Sequence, residues 1–137
     1  MTFNNIDGKI KRLKNERVCD MITGIGLDVV ELDRIAAIDQ RTEKFRKRIL
    51  TENELQIYEQ HTELRKIEFL AGRFAGKEAF SKALGTGIGA TCNFVDIEIK
   101  PNALGKPELF FKGNKMNGFI SITHTKNIAA AQVILQA

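Results

Sequence analysis

From Leu64 to Leu84 the chain runs without a proline, and it stops at Gly85. Proline inside a helix breaks it and glycine readily takes the left-handed conformation that closes one, so this stretch predicts a single long helix. Beyond Gly85 the apolar period changes to two. Phe94-Val95-Asp96-Ile97-Glu98-Ile99 alternates and predicts a strand; Glu108–Phe111, Phe119–Thr123 and Ile128–Leu135 predict three more, with hairpin turns at Asn102–Lys106 and His124–Asn127. Ahead of the long helix, β-branched Ile22–Val30 reads as a strand, followed by short helices around Leu32–Ile38 and Glu43–Leu50. Thr51-Glu52-Asn53-Glu54 has the form of a capping box, so a further helix is expected to start there and run to about His61. The expected class is α+β: a mostly antiparallel sheet packed against one long and several shorter helices.

With 137 residues, 43% apolar, 28% charged and only two prolines, the chain has the material for one core and lies far from disordered compositions. The strongly patterned sequence begins at Met21. Residues 1–20 are polar and without a clear period; we expect an extension outside a single domain of residues 21–137, with Met21 a candidate start. Cys19 and Cys92 show no metal-ligand spacing and form no disulfide framework, so reduced thiols are expected, and any metal is expected to be oxygen-bound. No apolar run approaches the roughly 20 residues of a membrane span, and the N-terminus lacks the apolar centre of a signal peptide. Both point to the cytoplasm and away from membranes.

The net charge of +4 is concentrated. Between Arg34 and Arg48 six basic residues (Arg34, Arg41, Lys44, Arg46, Lys47, Arg48) face two acidic ones (Asp39, Glu43), an excess equal to that of the whole chain. Such a run is either a solvated helix face or a surface for an acidic partner.

The long helix holds an anomaly. Ile67, Ala71, Phe74 and Glu78 are spaced 4, 3 and 4, so an apolar stripe that should face the core continues into a carboxylate. A desolvated carboxylate is costly unless a cation or metal pairs with it. Glu78 either pairs with Lys82 at i,i+4, worth about 0.2–0.5 kcal/mol on an exposed helix, or faces a ligand. Asp28, inside Gly24-Ile25-Gly26-Leu27-Asp28-Val29-Val30, is a second carboxylate where strands disfavour one. It either caps the following helix or joins Glu78. Two carboxylates from different elements, completed by phosphate oxygens, are what a Mg²⁺ site requires. Gly85-Thr86-Gly87-Ile88-Gly89 reads as a helix terminator, or as a phosphate cradle in which Lys82 supplies the charge. His124 lies in a turn with no nucleophile motif nearby, and Ser81 without an adjacent base reads as a packing residue.

These segments together resemble a known family. Gly24-Ile25-Gly26-Leu27-Asp28, then Phe74-Ala75-Gly76-Lys77-Glu78-Ala79-Phe80-Ser81-Lys82 fifty residues on, then Gly85–Gly89 and Ser121-Ile122-Thr123-His124-Thr125, are similar to the bacterial holo-(acyl-carrier-protein) synthase family across about residues 21–135. The resemblance implies the 4′-phosphopantetheinyl transferase fold and Mg²⁺-dependent transfer of 4′-phosphopantetheine from coenzyme A to a serine of apo-acyl carrier protein, for fatty acid biosynthesis. It implies Asp28 and Glu78 as Mg²⁺ ligands, and Asp28, Glu78 and Lys82 as the catalytic set. Lys82 falls on the pyrophosphate contact, with Gly85 beside it, and Arg65, Arg73, His124 and Thr125 fall on positions near the coenzyme's 3′-phosphate. A homotrimer with active sites between subunits is the implied assembly. Acyl carrier protein is acidic, so Arg34, Arg41, Lys44 and Arg48 become the expected docking surface.

Two other classes compete. A non-enzymatic nucleic-acid-binding module would use the same basic run, but one Tyr, no Trp and no reader motif give base stacking little support. A transferase serving peptide-synthetase carriers is by resemblance about twice as long and two-lobed.

Overall fold

A computed structural model describes residues 21–137; the expected extension at 1–20 lies outside the described residues. The chain order is strand β1 (Ile22–Glu31), helices α1 (Leu32–Arg41), α2 (Lys44–Ile49), α3 (Glu52–Glu59) and α4 (Glu63–Leu84), then strands β2 (Ile97–Pro101), β3 (Pro107–Phe111), β4 (Asn114–Lys115), β5 (Gly118–His124) and β6 (Ile128–Gln136). β1, β6 and β5 form one antiparallel sheet with β6 in the middle, and β2, β3 and β4 form a second.

Helix α4 is the axis of the fold, and small residues let the first sheet lie directly against it. A Cβ on Gly26 would sit 1.7 Å from the Ala79 carbonyl oxygen, and one on Gly24 1.9 Å from that of Ala83. Any side chain at either position would push strand and helix apart. The core fills in around this contact with Leu70, Phe80, Ile97, Ile99, Leu109 and Val133.

The expected boundaries hold at α4, where Gly85 takes the left-handed conformation (φ 89°) that ends the helix. They hold also at α3, where Thr51 and Glu54 form both bonds of the capping box. One expected strand start is corrected. Phe94–Asp96 is a turn of 3₁₀-helix and β2 begins only at Ile97. The Asp96 side chain accepts from the Asn93 amide at 3.0 Å, a local bond that competes with strand pairing. The two-residue strand β4 has no alternating pattern in the sequence to announce it.

The apolar stripe on α4 is also only partly as expected: Ala71 is buried, whereas Ile67, Phe74 and Glu78 are half-buried. The charged residue that α4 turns fully into the core is Lys77, one position earlier.

Candidate active site

Asp28 points from β1 toward α4, on the same side of the strand as Gly24 and Gly26, and the close packing those glycines permit carries its carboxylate to the last turns of the helix. Lys82 donates to Asp28 Oδ1 at 3.1 Å and to the Leu27 carbonyl oxygen at 3.0 Å. Glu78 lies close enough to Asp28 for the two charges to act on each other: burial first, then Asp28, hold the Glu78 carboxyl above its ordinary range, and Lys82 opposes them. The alternatives fall away. Glu31, not Asp28, is the N-cap of α1, and its side chain makes no capping bond. Among the described residues Lys82 pairs with Asp28, and no Glu78–Lys82 ion pair forms within 4.0 Å. Two carboxylates with one half-exposed lysine leave a residual negative charge.

The Gly85 loop is used differently from the cradle considered above. The amides of Gly85, Thr86 and Gly87 all donate to the Ser81 carbonyl oxygen, at 3.1, 3.2 and 3.1 Å. They close the helix and are not free for an anion. Ser81 is buried and donates to the Glu78 carbonyl oxygen at 2.7 Å, a packing role.

A second group gathers toward the other end of α4, where Arg65, Glu68, Arg73 and His124 line a cavity of about 400 Å³ with His61 and Phe69. His124 Nδ1 lies 2.8 Å from Glu68 Oε2, and its Nε2 lies 3.5 Å from an Arg65 nitrogen. Arg73 stacks on the Phe69 ring, 4.4 Å from its centroid. Burial pushes the Arg73 pKa down, and the nearby Glu54 counters it. Thr125 does not line this cavity; its hydroxyl accepts from the Asn127 and Ile128 amides, each at 3.2 Å, and holds the β5–β6 turn. Arg65 and Lys82 are 17 residues apart on one helix, roughly 25 Å along its axis, and Arg73 lies between them.

The model of the 4′-phosphopantetheinyl transferase superfamily matches residues 24–134. The chain belongs to that superfamily. It is 55% identical over 117 residues to the holo-(acyl-carrier-protein) synthase of Bacillus subtilis, covering 85% of this chain and 97% of the relative. The crystal structure of the Bacillus anthracis holo-(acyl-carrier-protein) synthase in complex with CoA (3′,5′-ADP) matches with a TM-score of 0.78 and 47% identity, over 85% of this chain and 98% of that one. The Helicobacter pylori synthase in complex with coenzyme A matches with a TM-score of 0.71 and 31% identity, over 82% and 99%. This chain is therefore a phosphopantetheinyl transferase, and a nucleic-acid-binding module has no support.

In this transferase the basic run divides. Arg46 is not a surface cation: it binds Asp39 through two bonds of 2.8 and 3.0 Å, and Tyr58 donates to the same carboxylate at 2.9 Å. Lys47 lies 3.3 Å from Glu43. Arg34, Arg41, Lys44 and Arg48 stay exposed, and Arg34 and Arg48 flank a groove of about 230 Å³ that Ile38, Phe45 and Phe74 line and that reaches Glu78.

Sequence reasoning missed Glu54 and Lys77 as site neighbours. The capping role of Glu54 is real, its Oε1 accepting from the Thr51 amide at 2.9 Å, but the same carboxylate also receives Lys77 Nζ at 2.5 Å and the Ile99 amide at 3.1 Å. The available signal was a lysine set among Ala75, Gly76 and Ala79, small residues that mark a tightly packed face.

Proposed function

We propose that this chain transfers the 4′-phosphopantetheine group of coenzyme A to a serine of an apo-acyl carrier protein in the cytoplasm, releasing adenosine 3′,5′-bisphosphate, with Mg²⁺ as cofactor and as a homotrimer. The observation that carries the reading is the meeting of Asp28, Glu78 and Lys82 at the end of α4, beside a groove flanked by arginines.

Among the described residues no three His, Cys, Asp or Glu side chains cluster as potential ligands. Two neighbouring carboxylates with residual negative charge fit Mg²⁺, which is commonly bound by one or two carboxylates together with substrate phosphates and waters. Asp28 and Glu78 would hold it, and when bound it neutralises charge on the pyrophosphate. The protein's own groups do the rest. Lys82 offsets negative charge developing on the leaving bisphosphate. The serine oxygen forms its bond to the phosphorus of phosphopantetheine as the bond to the leaving phosphate breaks, and a carboxylate of the pair takes the serine proton, directly or through water. Arg65, Arg73 and His124 bind the 3′-phosphate. Thr125 contributes from the turn it holds, and Gly85 sets the end of the helix from which Lys82 reaches.

The two phosphate-bearing regions of coenzyme A are joined through one ribose, far closer than the roughly 25 Å between Arg65 and Lys82. A coenzyme that meets Lys82 and also the Arg65–His124 pair is therefore served by two chains, the carboxylate end of one and the cationic cavity of another. The surface for that assembly is the outer face of the first sheet. Ile25, Leu27 and Val29 of β1 are 59, 58 and 56% exposed, and Phe119 of β5 is 50% exposed, flanking Ile134 of β6. An apolar sheet face of this kind is a normal place for subunits to meet. Residues 21–137 act as one domain, with 1–20 as an extension. The carrier docks on Arg34, Arg41, Lys44 and Arg48.

Incubation with coenzyme A, Mg²⁺ and an apo-acyl carrier protein, followed by intact mass of the carrier, tests the reading. A gain of one phosphopantetheine group supports it. No change in mass under conditions where a known synthase modifies the same carrier overturns it.

A further inference from the structure

The carboxylate of Glu54 is almost completely buried, and three elements converge on it: the Thr51 amide from the start of α3, Lys77 Nζ from α4, and the Ile99 amide from β2. A group held from three directions cannot rotate. Lys77, fully buried, completes its own coordination on the Ile49 carbonyl oxygen at 2.7 Å. Arg73 stands on the other side of the same carboxylate, Nε to Oε2 3.8 Å, too long for a hydrogen bond. That Nε is a buried side-chain nitrogen without a hydrogen-bond partner among the described residues.

One negative charge here serves two cations, and the lysine has the hydrogen bond. Arg73 is left oriented but not neutralised. Phe69 covers the face of its guanidinium and Glu54 lies off its Nε, so the Nη nitrogens are the donors left for whatever enters the cavity. A largely buried cation with an unspent charge at a cavity wall favours an anion there.

We propose that Glu54 is a positioning residue for coenzyme binding, holding Arg73 at the cavity wall with its charge still available to the coenzyme's phosphate. This rests on the coenzyme reading of the cavity. Removal of Glu54 alone would strand a buried lysine and endanger folding, since breaking one side of a buried pair is strongly destabilising. Lys77→Met therefore provides the background, in which the carboxylate faces Arg73 as its sole cation.

The experiment is a double-mutant cycle read by calorimetric Kd for coenzyme A, with thermal unfolding recorded for each chain. In the Lys77→Met background, Glu54→Gln is expected to raise the Kd about tenfold while the KM for the carrier stays within about twofold. Lys77→Met alone is expected to raise the Kd by a smaller factor, because the freed carboxylate then pairs with Arg73 and spends part of its charge. When Arg73→Ala is added, the Glu54→Gln penalty is expected to vanish, because its route runs through the guanidinium. A merely structural Glu54 would instead weaken coenzyme and carrier together and keep its penalty without Arg73. An unchanged Kd in Glu54→Gln/Lys77→Met, or a penalty that persists in the Arg73→Ala chain, overturns the proposal. Normal coenzyme affinity in Arg73→Ala by itself overturns the cavity reading, and the proposal with it.

Discussion

The two ends of α4 carry charge in opposite ways. At the C-terminal end Asp28 and Glu78 are set against each other with half-exposed Lys82 bonded to Asp28, leaving an excess of negative charge. Toward the N-terminal end Arg65 and Arg73 share a cavity with Glu68 and the imidazole of His124, leaving an excess of positive charge. Neither arrangement serves folding well, because unbalanced charge near a core costs stability. Between them Lys77 shows what balanced burial looks like, its Nζ bonded to Glu54 and to the Ile49 carbonyl oxygen. The difference separates charge kept for a ligand from charge that holds the fold, and Lys77 and Glu78, neighbours in sequence, fall on opposite sides of that line.

The largest expected effect breaks the negative end. Asp28→Ala or Glu78→Ala should lower transfer by about a thousandfold or more with unfolding temperature held or raised, since each change relieves like-charge crowding. Carrier modification followed alongside thermal melts checks both halves; full turnover in both variants contradicts the metal assignment. At the positive end, Arg73→Ala and His124→Ala should each weaken coenzyme A binding by about 10- to 100-fold, the scale of a lost charge-assisted hydrogen bond, with carrier affinity little changed. Calorimetry with each substrate separately reads this, and normal coenzyme affinity in both would move the nucleotide elsewhere.

The basic run offers the same contrast on a smaller scale. Reversing Arg34 and Arg41 to Glu should raise the KM for the carrier by about tenfold, leave that for coenzyme A nearly unchanged and flatten the salt dependence of association, as expected of exposed pairs worth roughly 0.2–1 kcal/mol each. Indifference to both the reversal and salt would make that face an ordinary solvated one. The smallest effect belongs to the closed cluster beneath it. Tyr58, buried and donating to Asp39, has its pKa pushed up to about 12, chiefly by burial and then by that bond. A phenol with a raised folded pKa contributes stability below its ordinary value near 10 that is lost as pH rises through about 12. Tyr58→Phe should therefore cost about 1 kcal/mol at neutral pH and little transfer activity, with the difference from the parent shrinking at strongly alkaline pH in denaturant titrations. A constant difference across that range would contradict it.

Much of this is legible in the sequence. Gly85 and the Thr51–Glu54 capping box set two helix boundaries because both act within a few residues. Asp28 and Glu78 stood out because each interrupts an apolar pattern. Lys77 did not stand out: adjacent helix positions differ by about 100°, and periodicity alone does not tell which of two neighbouring charges turns inward when small residues flank both. Glu54 was hidden for a different reason. Its capping bond already explained it, and its other partners lie at Lys77 and Ile99, distances in sequence that no local pattern spans. Phe94–Asp96 alternates like a strand, but the Asn93–Asp96 bond bends it into a turn.

The central claim is that the two ends of α4 complete one active site only across a boundary between chains. Subunit complementation tests it most directly. Glu78→Ala chains and Arg65→Ala/His124→Ala chains, each inactive or nearly so alone, are unfolded, mixed and refolded together, and carrier modification is measured by intact mass. If the ends belong to different chains, mixed assemblies contain sites with both ends intact and a substantial fraction of parental activity returns. If one chain supplies both ends of its own site, every site in the mixture stays defective, and activity no higher than the sum of the two variants contradicts the account.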